Sequence, residues 1–270
     1  MIKSNYHTHT FYCDGKDTPE EMVKAAIESG LDILGFSGHS PLGDADWCMS
    51  EEELTDYKAE ILNLKEKYSG EIEILCGLEH DYYSENSTDG FDYIIGSVHA
   101  LKVSDGLLPL DDSREILENG INKYFGGDAL ALAECYFDTL SDVVRKTSAQ
   151  IIGHTDLITK YDEKGAPLFD TTHPRYTAAY TKAVKKLCES GALFEVNTGA
   201  MTRGLRTTPY PHKDILKVIR ECGADVIINS DCHDRNFLTY GFEDALALLK
   251  ECGFHRVAYL SKGTVKFQKI

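Results

Sequence analysis

Ile2-Lys3-Ser4-Asn5-Tyr6-His7-Thr8-His9-Thr10 is a short extended run that stops on two histidines. In a strand, residues i and i+2 project to the same face, so His7 and His9 point together and their imidazoles can share one metal ion. The rest of the chain repeats this pattern. His39, Glu79, His99, His154, Asp231 and His233 each stand where an apolar run stops. A lone histidine is usually a satisfied core or surface residue, and one His-x-His carries little weight. Six strand ends of the same character are not independent accidents, and they point to a multinuclear metal site.

Outward from that stretch, strand-like runs alternate with helical patterns. Asp17-Thr18-Pro19-Glu20-Glu21 reads as a helix start, and Gly30 ends that helix. Ile33 to Ser37 is a strand stopping at Gly38-His39. Ser50 with Glu53 forms a capping box that opens a long charged helix through Tyr68. Ile72 to Leu78 and Phe91 to Val98 are strands that stop at Glu79 and His99. A helical stretch covers Ser113 to Lys146, and Ile151-Ile152-Gly153 then stops at His154. Helices at 174–190 and 212–222 flank the strand Ala192 to Val196, which contains Glu195 and ends at Asn197. Ala224 to Asn229 is the last ligand-bearing strand; Tyr240 to Cys252 and Val257 to Leu260 complete the pattern. Such alternation predicts a parallel sheet covered by helices. Polar residues at the C-terminal ends of the strands predict an α/β barrel, in which those ends converge on one face. We expect a single domain over residues 1–270.

With 28 Lys+Arg against 44 Asp+Glu, the formal charge is −16. An acidic surface with no basic run repels polyanions, so nucleic acid is not an expected partner, and any phosphate site must be locally positive. The eight cysteines are scattered without a Cys-x-x-Cys pair, and Met1-Ile2-Lys3 runs straight into the first motif. No window approaches the ~20 apolar residues of a membrane span. The expectation is a cytoplasmic protein with reduced thiols.

The candidate donors are His7, His9, Asp14, His39, Glu79, His99, His154, Asp231 and His233. Neutral imidazole with carboxylate suits Zn, Fe or Mn, and Glu79 has two oxygens with which to bridge two ions. Three ions need roughly a dozen ligand positions, some of them filled by water or substrate oxygens. Asp14 also fits a turn, in Cys13-Asp14-Gly15. His80 follows Glu79 and points the other way; His173 and His212 cap helices or face solvent, and His255 lies in a turn.

His7-Thr8-His9-Thr10, Asp14-Gly15, Gly38-His39-Ser40-Pro41, Gly77-Leu78-Glu79, Gly96-Ser97-Val98-His99, Gly153-His154-Thr155-Asp156 and Ser230-Asp231-Cys232-His233 resemble the ordered motifs of the polymerase and histidinol phosphatase (PHP) superfamily. Glu195-Val196-Asn197-Thr198-Gly199, with Arg203-Gly204 and Tyr210-Pro211, looks like its histidinol-phosphate phosphatase branch. The resemblance implies a distorted (β/α)7 barrel with up to three divalent ions. His7, His9, Glu79 and Asp231 would hold the first; Glu79, His99 and His154 the second; Asp14, His39 and His233 the third. Two departures stand out. Gly38 replaces the carboxylate usual before the His, which would loosen the third ion. Cys232 replaces a small residue, and its thiol should pack away from the ligands.

The implied reaction is hydrolysis of a small phosphomonoester, L-histidinol phosphate, by in-line attack of a hydroxide bridging the Glu79-linked ions. The leaving alkoxide would take its proton from a metal-bound water or Asp231. Arg203 and Arg206, in the loop after the Ala192–Val196 strand, and Lys160, after Gly153-His154, are the expected phosphate contacts, with Arg203 also catalytic. Glu134, Tyr136 and Asn197 are candidates for the histidinol end. Three other readings compete. A nuclease needs a positive track that this sequence lacks. A degenerate scaffold would have lost ligands. A phosphotyrosine phosphatase is separable by substrate.

Overall fold

The computed structural model describes residues 2–43 and 45–270. In chain order the first elements are β1 (Ser4–Asn5), α1 (Pro19–Glu28), β2 (Ile33–Phe36), α2 (Glu51–Lys67), β3 (Glu73–Asp81) and β4 (Tyr93–Ser97). Next come β5 (Ala100–Val103), β6 (Gly106–Pro109), α3 (Arg114–Phe125), α4 (Ala129–Leu140), α5 (Val143–Thr147) and β7 (Ile151–Ile152). The chain continues through α6 (Pro174–Cys188), β8 (Leu193–Asn197), α7 (Gly199–Thr202), α8 (Lys213–Glu221) and β9 (Val226–Asn229). It finishes with α9 (Phe242–Glu251), β10 (Arg256–Ser261) and β11 (Thr264–Lys269).

Seven strands form one parallel sheet in the order β1-β2-β3-β4-β7-β8-β9. The sheet curls until its first and last strands meet. Just past them, His9 N donates to Cys232 O at 2.9 Å and Cys232 N to His7 O at 3.2 Å, around a parallel bridge from Thr8 to Cys232. Helices wrap the outside, giving a nearly closed (β/α)7 barrel. The expected caps are present: Thr18 with Glu21 and Ser50 with Glu53 each form a reciprocal capping box.

Three features differ from the sequence expectation. The helical stretch 113–146 is three helices, because Gly126 turns left-handed (φ 61°) and Asp128 caps a new start by accepting from Leu130 N and Ala131 N. A hairpin, β5–β6, follows His99 and forms one wall above the barrel. β10 does not join the barrel sheet. It pairs antiparallel with β11 through a tight turn at Lys262 (φ 52°) and Gly263 (φ 70°). Ala258 and Leu260 of β10 then pack with Tyr6, Ile33, Leu75, Ile95, Leu193 and Ile227, and fill the barrel below the histidines. Tyr6 Oη donates to Leu260 O at 2.8 Å and accepts from Leu260 N at 2.9 Å. No helix among the described residues is long and apolar enough to cross a membrane.

Candidate metal centre

Strand ends converge at the other mouth of the barrel on Glu79, a carboxylate buried to 1% exposure. Its Oε2 stands 3.0 Å from His7 Nε2, 3.5 Å from His9 Nε2 and 3.0 Å from His39 Nδ1. Its Oε1 stands 3.0 Å from His154 Nε2 and 3.3 Å from His99 Nε2, and accepts from Ser97 Oγ at 2.6 Å. Asp231 Oδ1 lies 3.2 Å from His9 Nε2 and 3.6 Å from His7 Nε2. On the outer side, Asp14 Oδ2 is 3.0 Å from His233 Nε2, and Asp14 Oδ1 is 3.6 Å from His9 Nδ1 and 3.7 Å from His39 Nε2. The His9 and His233 rings stack with centroids 4.0 Å apart.

Three sets of donors lie close enough to hold an ion: His7-His9-Glu79, His39-Glu79-His99 and His9-Asp14-His39-His233. His39 thus turns one nitrogen to Glu79 and the other towards Asp14, beyond the role that the resemblance gives it. At Gly38 a Cβ would sit 3.0 Å from Met49 Cε and 3.4 Å from Cys13 Sγ, so apolar packing fills the place of the missing carboxylate. Cys232 is buried among apolar residues, and burial pushes its thiol up to about 12.

The residues fit divalent cations. His7 Nε2, His9 Nε2 and Glu79 Oε2 are buried without a hydrogen-bond partner, which is rare for groups with no ligand to meet. Burial works against charge on Glu79 and Asp231, yet the surrounding histidines, with Arg203 beside Asp231, hold both carboxyls well below the usual range. Burial, with His233 and His39 nearby, pushes His9 down to about 3, so it stays neutral with lone pairs available. Asp231 adopts a left-handed backbone (φ 47°), strain of the kind stored at functional sites. Gly199 makes room for it: a Cβ there would lie 2.8 Å from Asp231 Oδ2.

Beneath the donors sits a residue given no role from sequence. Glu195 is fully buried and all its hydrogen-bonding capacity is used. Its Oε1 accepts from His7 Nδ1 at 2.6 Å and Asn229 Nδ2 at 2.9 Å, and its Oε2 from His154 N and Asn197 Nδ2, both at 2.9 Å. Burial opposes its charge, but His7 holds its carboxyl low. A carboxylate only accepts, so His7 donates from Nδ1 to Glu195, and Nε2 is left as the nitrogen that a cation bound between it and Glu79 would take. The sequence signals were a charged residue inside the apolar run 192–196 and its place at the head of the Glu195-Val196-Asn197-Thr198-Gly199 segment.

Above the donors lies a cavity of about 1010 Å³ lined by Asp14, His39, Glu79, His99, His154, Asp231 and His233, with Lys160 and Arg203 on its wall. Trp47 closes one side, its ring edge-on to His39 (centroids 4.7 Å apart) and His99 (5.3 Å). Arg203 Nη2 is 3.7 Å from Asp231 Oδ2, and Nη1 is 3.3 Å from His233 Nδ1. Lys160 Nζ donates to Asp111 O at 2.7 Å and Oδ2 at 2.9 Å, so its charge is partly answered.

Four expected substrate contacts lie elsewhere. Arg206 turns away from this cavity: its guanidinium covers the Tyr210 ring at 4.3 Å and it lines a separate cavity. Asn197 is fully buried and ties Glu195 to Asp231, its Nδ2 being 3.2 Å from Asp231 Oδ2. Glu134 pairs with Arg175 on the outside of α4. Tyr136 is buried in the core and donates to Thr155 O at 3.2 Å. His80 is held by the carbonyls of Asp81 and Asn86, and His173 and His212 cap α6 and α8, as expected.

A barrel of parallel strands whose C-terminal ends gather histidines and carboxylates around a shared, buried Glu defines a metal-binding α/β barrel. The chain belongs to the PHP domain family, which matches residues 5–199. It is 25% identical to the probable histidinol-phosphatase of Schizosaccharomyces pombe, covering 97% of this chain and 90% of that protein. It is also 25% identical to the histidinol-phosphatase of Bacillus subtilis, covering 93% of this chain and 100% of that one. A crystal structure of histidinol phosphate phosphatase from Lactococcus lactis, complexed with zinc, L-histidinol and phosphate, has the same fold, with TM-score 0.74 and 20% identity over 98% of each chain.

Proposed function

We propose that this chain is a metal-dependent phosphomonoesterase that hydrolyses L-histidinol phosphate to L-histidinol and phosphate in the cytoplasm, working as one domain over residues 1–270. The observation that carries the reading is the convergence of His7, His9, His39, His99 and His154 on the two oxygens of Glu79, with Arg203 beside Asp231 at the cavity wall. The names of the relatives matched over most of their length support the substrate.

Up to three divalent ions, Zn, Fe or Mn, would be held by His7, His9, Glu79 and Asp231, by Glu79, His99 and His154, and by Asp14, His39 and His233. Bound there, they supply an activated water near neutral pH and positive charge for the phosphoryl oxygens. Arg203 donates to a phosphoryl oxygen with a planar fork suited to it, and Asp231 beside it keeps that fork aimed into the cavity. Lys160 adds a second cation at the wall. Glu195 and Asn197 hold His7 and Asp231 in place. Arg206, Glu134 and Tyr136 have no part in this reading.

The test is phosphate release from L-histidinol phosphate by enzyme loaded with Zn or Mn, beside p-nitrophenyl phosphate and a nucleotide. The expected kcat/KM for histidinol phosphate is roughly 10⁴ M⁻¹s⁻¹ or more and well above the others. Turnover without preference for histidinol phosphate sinks the substrate assignment and leaves the metal chemistry.

A further inference from the structure

A second cavity, of about 550 Å³, opens between the loop after β7 and the loop after β8, and shares no lining residue with the metal cavity. Its wall carries opposite charges that do not meet. Asp156 is fully buried; its Oδ2 accepts from His212 N at 2.9 Å, and its Oδ1 has no partner. Asp162 Oδ1 accepts from Leu168 N at 2.8 Å, while its Oδ2 is buried and also has no partner. The same cavity is lined by Arg206, only 7% exposed. Its guanidinium is fixed over the Tyr210 ring, with Nε donating to Thr208 O at 3.3 Å and Nη1 to Thr159 Oγ1.

Buried charges of both signs normally pair. Here each is anchored by its own neighbours, and among the described residues neither carboxylate forms an ion pair with Arg206. The gap calls for a ligand that donates to two carboxylates and accepts from a guanidinium. A simple amine leaves Arg206 unanswered, and an anion would face Asp156 and Asp162. A zwitterion answers both ends, the volume suits a small molecule, and Phe169 and Pro167 offer an apolar wall to a side chain. We propose that this cavity binds a free α-amino acid, with its ammonium on Asp156 and Asp162 and its carboxylate on Arg206.

Titration calorimetry of the metal-loaded full chain tests this. Each of the protein L-amino acids is added with inorganic phosphate present to occupy the metal cavity, beside the matching amine and carboxylic acid of the best binder. The expected result is one-to-one binding of at least one amino acid with a Kd below about 1 mM, and at least about tenfold weaker binding of both analogues. Arg206→Met should weaken binding at least about tenfold with metal content unchanged, while Arg203→Met keeps it. If Arg206→Met fails to fold, Asp162→Asn gives the same readout without touching the Tyr210 stack. The proposal is overturned if no amino acid binds at about 10 mM, if the amine binds as tightly as the amino acid, or if Arg203→Met removes binding.

Discussion

Glu195 shows how much of this site depends on a side chain that touches no solvent. It orients His7 through a 2.6 Å hydrogen bond and, through Asn197, steadies Asp231 across the barrel. In Glu195→Gln one acceptor becomes a donor, which must oppose either His7 Nδ1–H and the Asn229 amide or His154 N–H and the Asn197 amide. Metal affinity, measured by competition with a chelator, should fall about 10–100-fold; an unchanged affinity would show that His7 needs no such support. Asp162 gives a pH signature. Burial lifts its carboxyl from 3.8 to about 6, so the folded chain holds the proton more tightly than the unfolded one. Its contribution to stability therefore falls as pH rises through that window and stays low above it. Asp162→Asn should raise Tm by about 2–5 °C at pH 7.5, and the gain should shrink at pH 4.5. An equal gain at both values would contradict this origin. At this scale the metal donors were legible because the two-residue period of a strand puts His7 beside His9. Glu195 was not, since its partners come from β1, β7 and β9. Arg206 was placed on the right loop and Asn197 at the right strand end, but spacing alone does not say which way either side chain turns.

Loops that carry donors are shaped by backbone contact. At Gly15 a Cβ would sit 2.5 Å from the His9 carbonyl carbon and the Thr10 nitrogen, atoms that cannot move without shifting the histidine pair. Gly15→Ala should thus displace Asp14. The expected outcome is loss of about one metal equivalent per chain by elemental analysis, with helix content by circular dichroism unchanged; full metal content would refute it. The barrel strands after β1 were readable because each is an apolar run closed by a polar residue, and the caps because Thr18-Glu21 and Ser50-Glu53 bond locally. The 113–146 region misled because Gly126-Gly127-Asp128 lies inside a nearly continuous apolar period, and only the left-handed turn at Gly126 and Gly127 with the Asp128 cap separates the first two helices. β10 comes after the seven barrel strands in sequence, and its pairing with β11 and its packing against Tyr6, Ile95 and Ile227 show it to be a plug.

Across the whole molecule, the net charge of −16 and the cluster of Glu79, Asp231, Glu195 and Asp14 set a common condition. Carboxylates held this close repel each other unless cations sit among them. Chelation with dipicolinate should therefore abolish phosphate release and lower Tm by at least about 5 °C, with both restored by Zn or Mn. A chelated protein that melts at the same temperature would separate the metal from the fold. The backbone-to-backbone part of the seam between first and last strands is the bridge from Thr8 to Cys232, reinforced by Tyr6 N donating to Asn229 Oδ1 at 2.9 Å and Ser230 N to Asn5 Oδ1 at 3.2 Å, and it is flanked by His7 and His9 on one side and Asp231 and His233 on the other. Ions bound there would tie together residues roughly 220 apart in sequence, as a clasp closes a bracelet. By the chain-entropy argument for cross-links, a tie over that span is worth about 5 kcal/mol against the unfolded chain. The centre would then serve as a removable staple as well as a site of chemistry, fastening the ring once the two ends of the chain have found each other.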